Sequence, residues 1–492
     1  MVKNREGWQQ LKQQLAAREK IAQAMGGEER VARQHGKGRL TARERIARLC
    51  DKQSFSEYGS LAGGNHPNGA APLAADGVVG GTARINDRAV VIIAEDFTVK
   101  GGSIGHPNAA KRARLVRLAS EQGMPLILLL DGAGERAENQ AERYPNTPSD
   151  LQLVADLQGQ VPVVTLVLGT SAGHGALTGV FADFMIMLEG AAMFTAGPPL
   201  VKAALGVDAT PEQLGGAKMH THDSGVAHNL VSNEEDAFTL ARSYLGLVSE
   251  PFDATGTLGA RRELQALLDI IPAQGSLGYD MQKVLVELVD RDSLLDLQPD
   301  FGRNIITAMA RIGGHSCMIV ANQPAVQAGT ITTDAAHKAA HFIRVAHERK
   351  LPLVFLIDNP GVMPGPESEK SGVLRAAAEM FLAQRRYAGQ KIVVTLRKAF
   401  GFGSSVMGMN PWDSQTISMA LPSVSLGGMP AISGSDAAGA DKETSAQIEA
   451  VQSGAWVPAD AMAFDKVIAP EQLRNEIIDA LDKSRRASPV RL

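Results

Sequence analysis

Cysteine is almost missing from this chain: 492 residues hold two, Cys50 and Cys317, far apart and outside any Cys-x-x-Cys spacing. That excludes a disulfide framework and a cysteine zinc site, and it fits a reducing compartment. Aromatic residues make up only 4%, and neither charge sign dominates, with 49 Lys and Arg against 53 Asp and Glu and a net charge of −4. Nucleic acid and acidic membrane surfaces are therefore poor main partners, while a local basic pocket stays compatible. No apolar run reaches the length of a membrane span. The start, Met1-Val2-Lys3-Asn4-Arg5, leads into charged helical sequence and not into a signal h-region. A cytoplasmic protein is expected.

Glycine, in contrast, is plentiful at 50 residues, beside an apolar fraction of 44%. This is a soluble α/β composition, and the length calls for two or more domains, each with its own core. Residues Lys3 to Ala32 are polar, with Trp8, Leu11 and Leu15 at helical spacing, and read as a surface or interface helix. A glycine-broken basic segment follows, Gly36 to Ile46, in which Thr41 and Glu44 form a capping box. Its Lys and Arg side chains read equally as a phosphate cradle or as a solvated face. From Gly77 strands and helices alternate: strand Val90 to Glu95, helix Pro107 to Gln122 closed by Gly123, strand Leu126 to Asp131, strand Val161 to Leu168. Such alternation predicts a parallel sheet with ligands at the carboxyl ends of its strands.

The stretch Ser171-Ala172-Gly173-His174-Gly175-Ala176 stands at such an end, and the apolar segment Leu177 to Leu188 after it is predicted to be a core helix. Taken alone, the turn reads either as a tight positive-φ turn or as a nest of backbone N–H groups for an oxyanion or phosphate. A second copy decides between them. Ala83-Arg84-Ile85 recurs as Ala310-Arg311-Ile312, a displacement of 227 positions that also pairs Lys111 with Lys338, Asp131 with Asp358 and Gly134 with Gly361. Further on, Val163-Val164-Thr165-Leu166 recurs as Val393-Val394-Thr395-Leu396, a displacement of 230 that sets Gly173 opposite Gly403. The chain is therefore read as a tandem duplication, with domains at residues 1–250 and 260–492 and a linker around Glu250 to Gln298.

Several long motifs carry a resemblance. They are His35-Gly36-Lys37-Gly38-Arg39-Leu40-Thr41-Ala42-Arg43-Glu44-Arg45, Glu95-Asp96-Phe97-Thr98-Val99 and Ser224-Gly225-Val226-Ala227-His228 in the first half. In the second they are Ala321-Asn322-Gln323-Pro324, Asp358-Asn359-Pro360-Gly361 and Arg397-Lys398-Ala399-Phe400-Gly401. Together they resemble the carboxyltransferase (β) subunits of biotin-dependent acyl-CoA carboxylases, the propionyl-CoA and methylcrotonyl-CoA group. The resemblance implies two crotonase-like ββα-superhelix domains, with acyl-CoA against the first and carboxybiotin against the second, at a subunit interface in a hexamer. It assigns one oxyanion pair to the amides of Gly173 and His174 and the other to those of Phe402 and Gly403. Gly134, Arg136, Ala172, Gly401 and Ser404 are placed along the CoA and biotin walls. Carboxybiotin would release CO₂ to a thioester enolate, the ureido nitrogen having taken the α-proton.

Neither a Met-Lys-Met biotinylation sequence nor an ATP-binding glycine loop is present, so biotin carrier and biotin carboxylase are expected on separate chains. The pocket motifs depart from the family: Ala172-Gly173-His174-Gly175, Gly134-Glu135-Arg136 and Gly401-Phe402-Gly403-Ser404-Ser405 replace its usual runs. Backbone donors survive such changes, while the acyl pocket is altered. His174 is either a backbone donor alone or also a side-chain acid or base. Arg136 either meets CoA phosphates or pairs near Glu135. Asp131 and Asp358 read as turn formers. His220, His222, Asp223 and His228 lack clean ligand spacing, and no metal is expected. Two other activities stay open: the carboxyltransferase of a biotin-dependent decarboxylase, and a biotin-free hydratase or isomerase with Glu135 as its one candidate acid.

Overall fold

A computed structural model describes residues 2–63, 72–136, 149–249, 261–410, 413–429 and 441–486. The chain divides into two compact units, Met1–Leu245 and Gly246–Leu492. Each is built on one eight-stranded sheet, mixed but mainly parallel.

In the first unit the strands run in the order Ser56–Glu57, Val78–Ile85, Arg88–Glu95, Leu126–Gly132, Val163–Ala172, Phe184–Leu188 and Asn229–Val231, with Ala192–Phe194 also pairing onto Val163–Ala172. The second unit repeats that order with Leu295–Leu297, Ile305–Ile312, His315–Asn322, Leu353–Asn359, Lys391–Phe400, Ile417–Ala420 and Lys466–Val467, and with Ser425–Gly427 as the side branch. The central strands are continuous apolar runs because both of their faces are buried; Leu126 to Leu130 are at most 1% exposed.

The repetition reaches single hydrogen bonds. Each unit opens with a two-residue hairpin, Asn86-Asp87 in one and Gly313-Gly314 in the other, all at positive φ. Asp51 accepts from the amides of Asn86 and Asp87 at 3.2 and 2.8 Å, and Asp290 from those of Gly313 and Gly314 at 3.1 and 2.7 Å. Buried Lys111 donates to the Val78 carbonyl and Lys338 to that of Phe301, both at 2.6 Å.

The capping box at Thr41 and Glu44 is present, and helix His106–Gln122 ends at left-handed Gly123. Three readings need correction. Leu177 to Leu188 is not one helix: helix His174–Val180 stops and strand Phe184–Leu188 follows. A fully buried parallel strand has no polar face, so periodicity does not separate it from a buried helix. The segment around Glu250 to Gln298 is not a plain linker, since Leu267, Met281, Leu285 and Leu288 belong to the second unit's core; 250–260 lie outside the described residues. Finally, Leu126 pairs with Val163 and Leu353 with Lys391, so the true displacement in that strand is 228 positions, 163 to 391. Gly173 is therefore equivalent to Gly401, not to Gly403.

Candidate active site

Strand Val163–Ala172 delivers the chain to Gly173 at φ 54° and ψ −117°, a conformation that side chains resist, and helix His174–Val180 starts there. Ala172 pairs with Phe194, and the Gly173 N–H consequently donates to the Phe194 carbonyl at 2.9 Å. This corrects the predicted oxyanion pair, because the Gly173 amide is already spent. The amides of His174 and Gly175 have no partner among the described residues, as the first turn of a helix leaves its N–H groups unmatched. In the second unit Gly401, at φ 57°, opens helix Gly401–Val406, and the amides of Phe402 and Gly403 are unmatched in the same way. With the 228 displacement, His174 and Gly175 are the counterparts of Phe402 and Gly403. Both units present the same two-amide nest.

Buried Gly134 packs against the first turn so closely that a Cβ on it would lie 2.7 Å from the Ala172 carbonyl oxygen. Ala172 is half-buried, and the Ser404 hydroxyl donates to the Gly401 carbonyl at 2.7 Å, which stiffens the second turn. Arg136 points inward. Its guanidinium meets Asp76 Oδ1 at 2.8 Å and the Ser103 carbonyl at 2.9 Å, so its fork is occupied, with Asp76 as partner and not the neighbourhood of Glu135.

The His174 imidazole has company that the sequence did not announce. Its Nε2 lies 2.6 Å from Asp150 Oδ1, and Arg112 Nε lies 2.6 Å from Asp150 Oδ2. Arg112 also reaches Glu95 Oε1 at 3.1 Å, and Glu95 Oε2 accepts the Asp131 N–H at 2.9 Å. Side-chain exposure falls from 25% at His174 to 3% at Asp150 and 1% at Arg112. Burial alone would raise the Asp150 pKa, but the Arg112 charge and the His174 hydrogen bond outweigh it and hold that carboxyl below its ordinary range. Glu95 is shifted the other way, since its burial exceeds what Arg112 and the Asp131 amide give back. One signal was available: Arg112 falls on the face of its helix that buries Asn108, Leu115 and Ala119, where a cation requires an anion.

The basic segment divides its charges. Arg45, 1% exposed, pairs with Asp131 at 2.9 Å and Glu234 at 2.8 Å, and Arg43 pairs with Glu57 at 2.7 Å. Lys37 instead joins Arg30, Arg33, Lys100 and Phe97 around a cavity of about 350 Å³. Gly101 of that cavity accepts the Ala133 N–H at 2.9 Å, next to the Gly134 turn. Asp131 and Asp358 are buried anchors for arginines and not turn formers; Asp358 Oδ2 holds Arg397 Nε at 2.8 Å. The histidines of the His220 to His228 group are tied up locally: His220 binds the Met193 carbonyl at 2.7 Å, His222 Nδ1 lies 2.9 Å from the Thr221 hydroxyl, and His228 accepts the Met185 N–H at 3.0 Å. Among the described residues no group of three His, Cys, Asp or Glu is placed to hold a metal.

A repeated strand, glycine turn and two-amide nest on two mainly parallel sheets form an arrangement able to meet an oxyanion with backbone donors alone. The carboxyl transferase domain model matches residues 33–488, and the chain belongs to that family. It is 33% identical over 483 residues to the methylmalonyl-CoA decarboxylase subunit alpha of Veillonella parvula, covering 94% of each chain. To the methylmalonyl-CoA carboxyltransferase 12S subunit of Propionibacterium freudenreichii subsp. shermanii it is 32% identical over 494 residues, covering 96% of this chain and 93% of that one. The transcarboxylase 12S crystal structure, a hexamer assembly with methylmalonyl-coenzyme A and methylmalonic acid bound, superposes with a TM-score of 0.91 at 31% identity, covering 98% and 97% of the two chains.

Proposed function

We propose that this carboxyltransferase moves a carboxyl group between biotin on a separate carrier chain and the α-carbon, or vinylogous γ-carbon, of an acyl-CoA, through two crotonase-like halves. The observation that carries the reading is the doubled nest, His174 with Gly175 and Phe402 with Gly403. Thioester enolate formation places negative charge on one oxygen, and two amides at about 2.7–3.1 Å from it lower that barrier without a nucleophile. The first unit takes the acyl-CoA. Its basic cavity beside Phe97 suits phosphates, and the chain of contacts from Gly101 through Ala133 to Gly134 joins that cavity to the His174 turn.

The second unit takes biotin, which when bound supplies the carboxyl group. Phe402 and Gly403 fit the ureido oxygen through their amides, and the Phe402 ring, 54% exposed, offers an apolar wall. Exposed Leu200, Leu205 and Val207, with Trp8 and Leu11 on the first helix, support burial in a homo-oligomer such as a hexamer core. Two free buried thiols suit a cytoplasmic setting, and no described helix is long and apolar enough to cross a membrane.

The test mixes the purified chain with a carboxybiotinylated carrier, or free carboxybiotin, and a panel of acyl-CoAs. Carboxylated acyl-CoA is the expected product. A well-folded protein that turns over no short, branched or unsaturated acyl-CoA would overturn the reading. A decarboxylase role runs the same chemistry backwards and is favoured by the Veillonella relative. Faster carboxyl loss from methylmalonyl-CoA to biotin than gain by propionyl-CoA would select it.

A further inference from the structure

The two units share their backbone to the level of single hydrogen bonds, so what differs between equivalent positions marks what each half does alone. In the first unit the nest is backed by His174, Asp150, Arg112 and Glu95 in one hydrogen-bonded line. In the second, Phe402 stands for His174, Ala339 for Arg112 and Asn322 for Glu95. The positions of His174, Arg112 and Glu95 thus carry no matching line in the second unit.

We infer that the His174 imidazole is the base that removes, and the acid that returns, the α-proton of a thioester held by the His174 and Gly175 amides, so that the chain exchanges this proton without biotin. The inference rests on the reading above for where the thioester sits. Asp150 is buried and ionised, so the Nε2 facing it carries a proton and donates. In its neutral form the imidazole bears its lone pair on Nδ1, which has no partner among the described residues, on a ring that keeps 25% exposure. The Cα–H bond breaks and its proton goes to Nδ1. The electron pair moves onto the thioester oxygen, between the two amides. The resulting imidazolium forms in direct contact with the Asp150 carboxylate, so the new positive charge arises beside an anion. Reversal with a proton that has exchanged through the exposed edge of the ring leaves a solvent hydrogen on the α-carbon. Asp150 is a positioning residue: it fixes the tautomer and the ring plane.

The experiment incubates the full chain with propionyl-CoA in D₂O, with no biotin and no carrier, and follows deuterium at the α-carbon by mass spectrometry; carboxyl transfer is assayed in parallel. The parent should incorporate deuterium well above the buffer rate. His174→Asn should slow that by about 100-fold or more, the usual weight of a positioned acid–base group. Asp150→Asn should also slow it at saturating propionyl-CoA, with half-saturation unchanged, which a merely structural carboxylate would not produce; it serves as the second variant if His174→Asn does not fold. A parent that transfers carboxyl groups normally but shows no exchange overturns the inference and leaves the functional reading standing. Exchange that persists undiminished in folded His174→Asn or Asp150→Asn overturns it equally. Exchange without carboxyl transfer to any acyl-CoA sinks the functional reading instead.

Discussion

Gly403→Ala tests the second nest at the level of tenths of an ångström. A Cβ built on Gly403 lies 2.7 Å from the Gly361 Cα and 2.8 Å from both Asn359 Oδ1 and the Gly361 carbonyl carbon, where ordinary contact begins at 3.4 Å. Two of these neighbours are backbone, and Asn359 Oδ1 is committed to the Gly361 N–H at 2.9 Å, so none can swing aside cheaply. The turn and the helix must separate by about 0.7 Å, the shortfall from 2.7 to 3.4 Å. An N–H···O contact stretched by that much from about 2.9 Å leaves hydrogen-bond range. Losing one oxyanion donor costs about 10²–10³ in rate, while overpacking costs about 1–3 kcal/mol of stability. The expected result is a folded protein whose carboxyl transfer falls by at least about 100-fold and whose α-proton exchange on propionyl-CoA is unchanged. Gly275→Ala is the control, because nothing lies within 4 Å of its Cβ. Both variants are read by steady-state transfer and thermal unfolding. A folded Gly403→Ala that transfers carboxyl groups like the parent would refute the placement of a reacting oxygen at this amide.

Arg397→Leu removes a fully buried cation from Asp358 and from the Gln274 and Leu277 carbonyls, each at 2.8 Å. Denaturant unfolding should show a loss of about 3–5 kcal/mol, partly recovered by the double change with Asp358→Leu. Cys50 is pushed up to about 12 by burial beside Asp51, and Cys317 is also pushed up by burial. Iodoacetamide at pH 8 should label neither in the native protein and both after unfolding. The Asp150 carboxyl is held below its unfolded value of about 3.9, so its contribution is complete above that pH and drains as the pH falls further. Denaturant midpoints between pH 5 and pH 2 should therefore fall more steeply for the parent than for Asp150→Asn.

The parts of the fold legible in the sequence were those decided by neighbours in the chain. Thr41 caps through Glu44 three residues on, and Gly123 ends its helix because φ 62° suits glycine. The strand repeat was visible as matched residues, but its register was not. A slip of two positions keeps every side chain on its original face, so Val163 opposite Val393 looks as good as the true Val163 opposite Lys391. Only the ladder partners, Leu126 and Leu353, separate the two. The donor assignment failed for a related reason. Whether the Gly173 amide is free depends on Phe194, which reaches it through strand Ala192–Phe194. Asp150 lay equally out of view, because a carboxylate 24 positions before His174 has no local signature.

The repeated architecture explains why those failures cluster at the site. Two copies of one backbone need the same hairpin anchors and the same buried lysines, and there the residues repeat: Asp51 with Asp290, Lys111 with Lys338. Once each copy supplies a two-amide nest, the side chains around it are free to diverge, since the donors belong to the backbone. A charged line costs a buried half several kcal/mol in desolvation unless every member is paired. The first unit meets that condition with Asp150, Arg112 and Glu95, whereas the second places Phe402 and Ala339 at two of the matching positions and carries no such line there. Retaining so expensive a chain behind the first nest argues that this half moves a proton through a side chain.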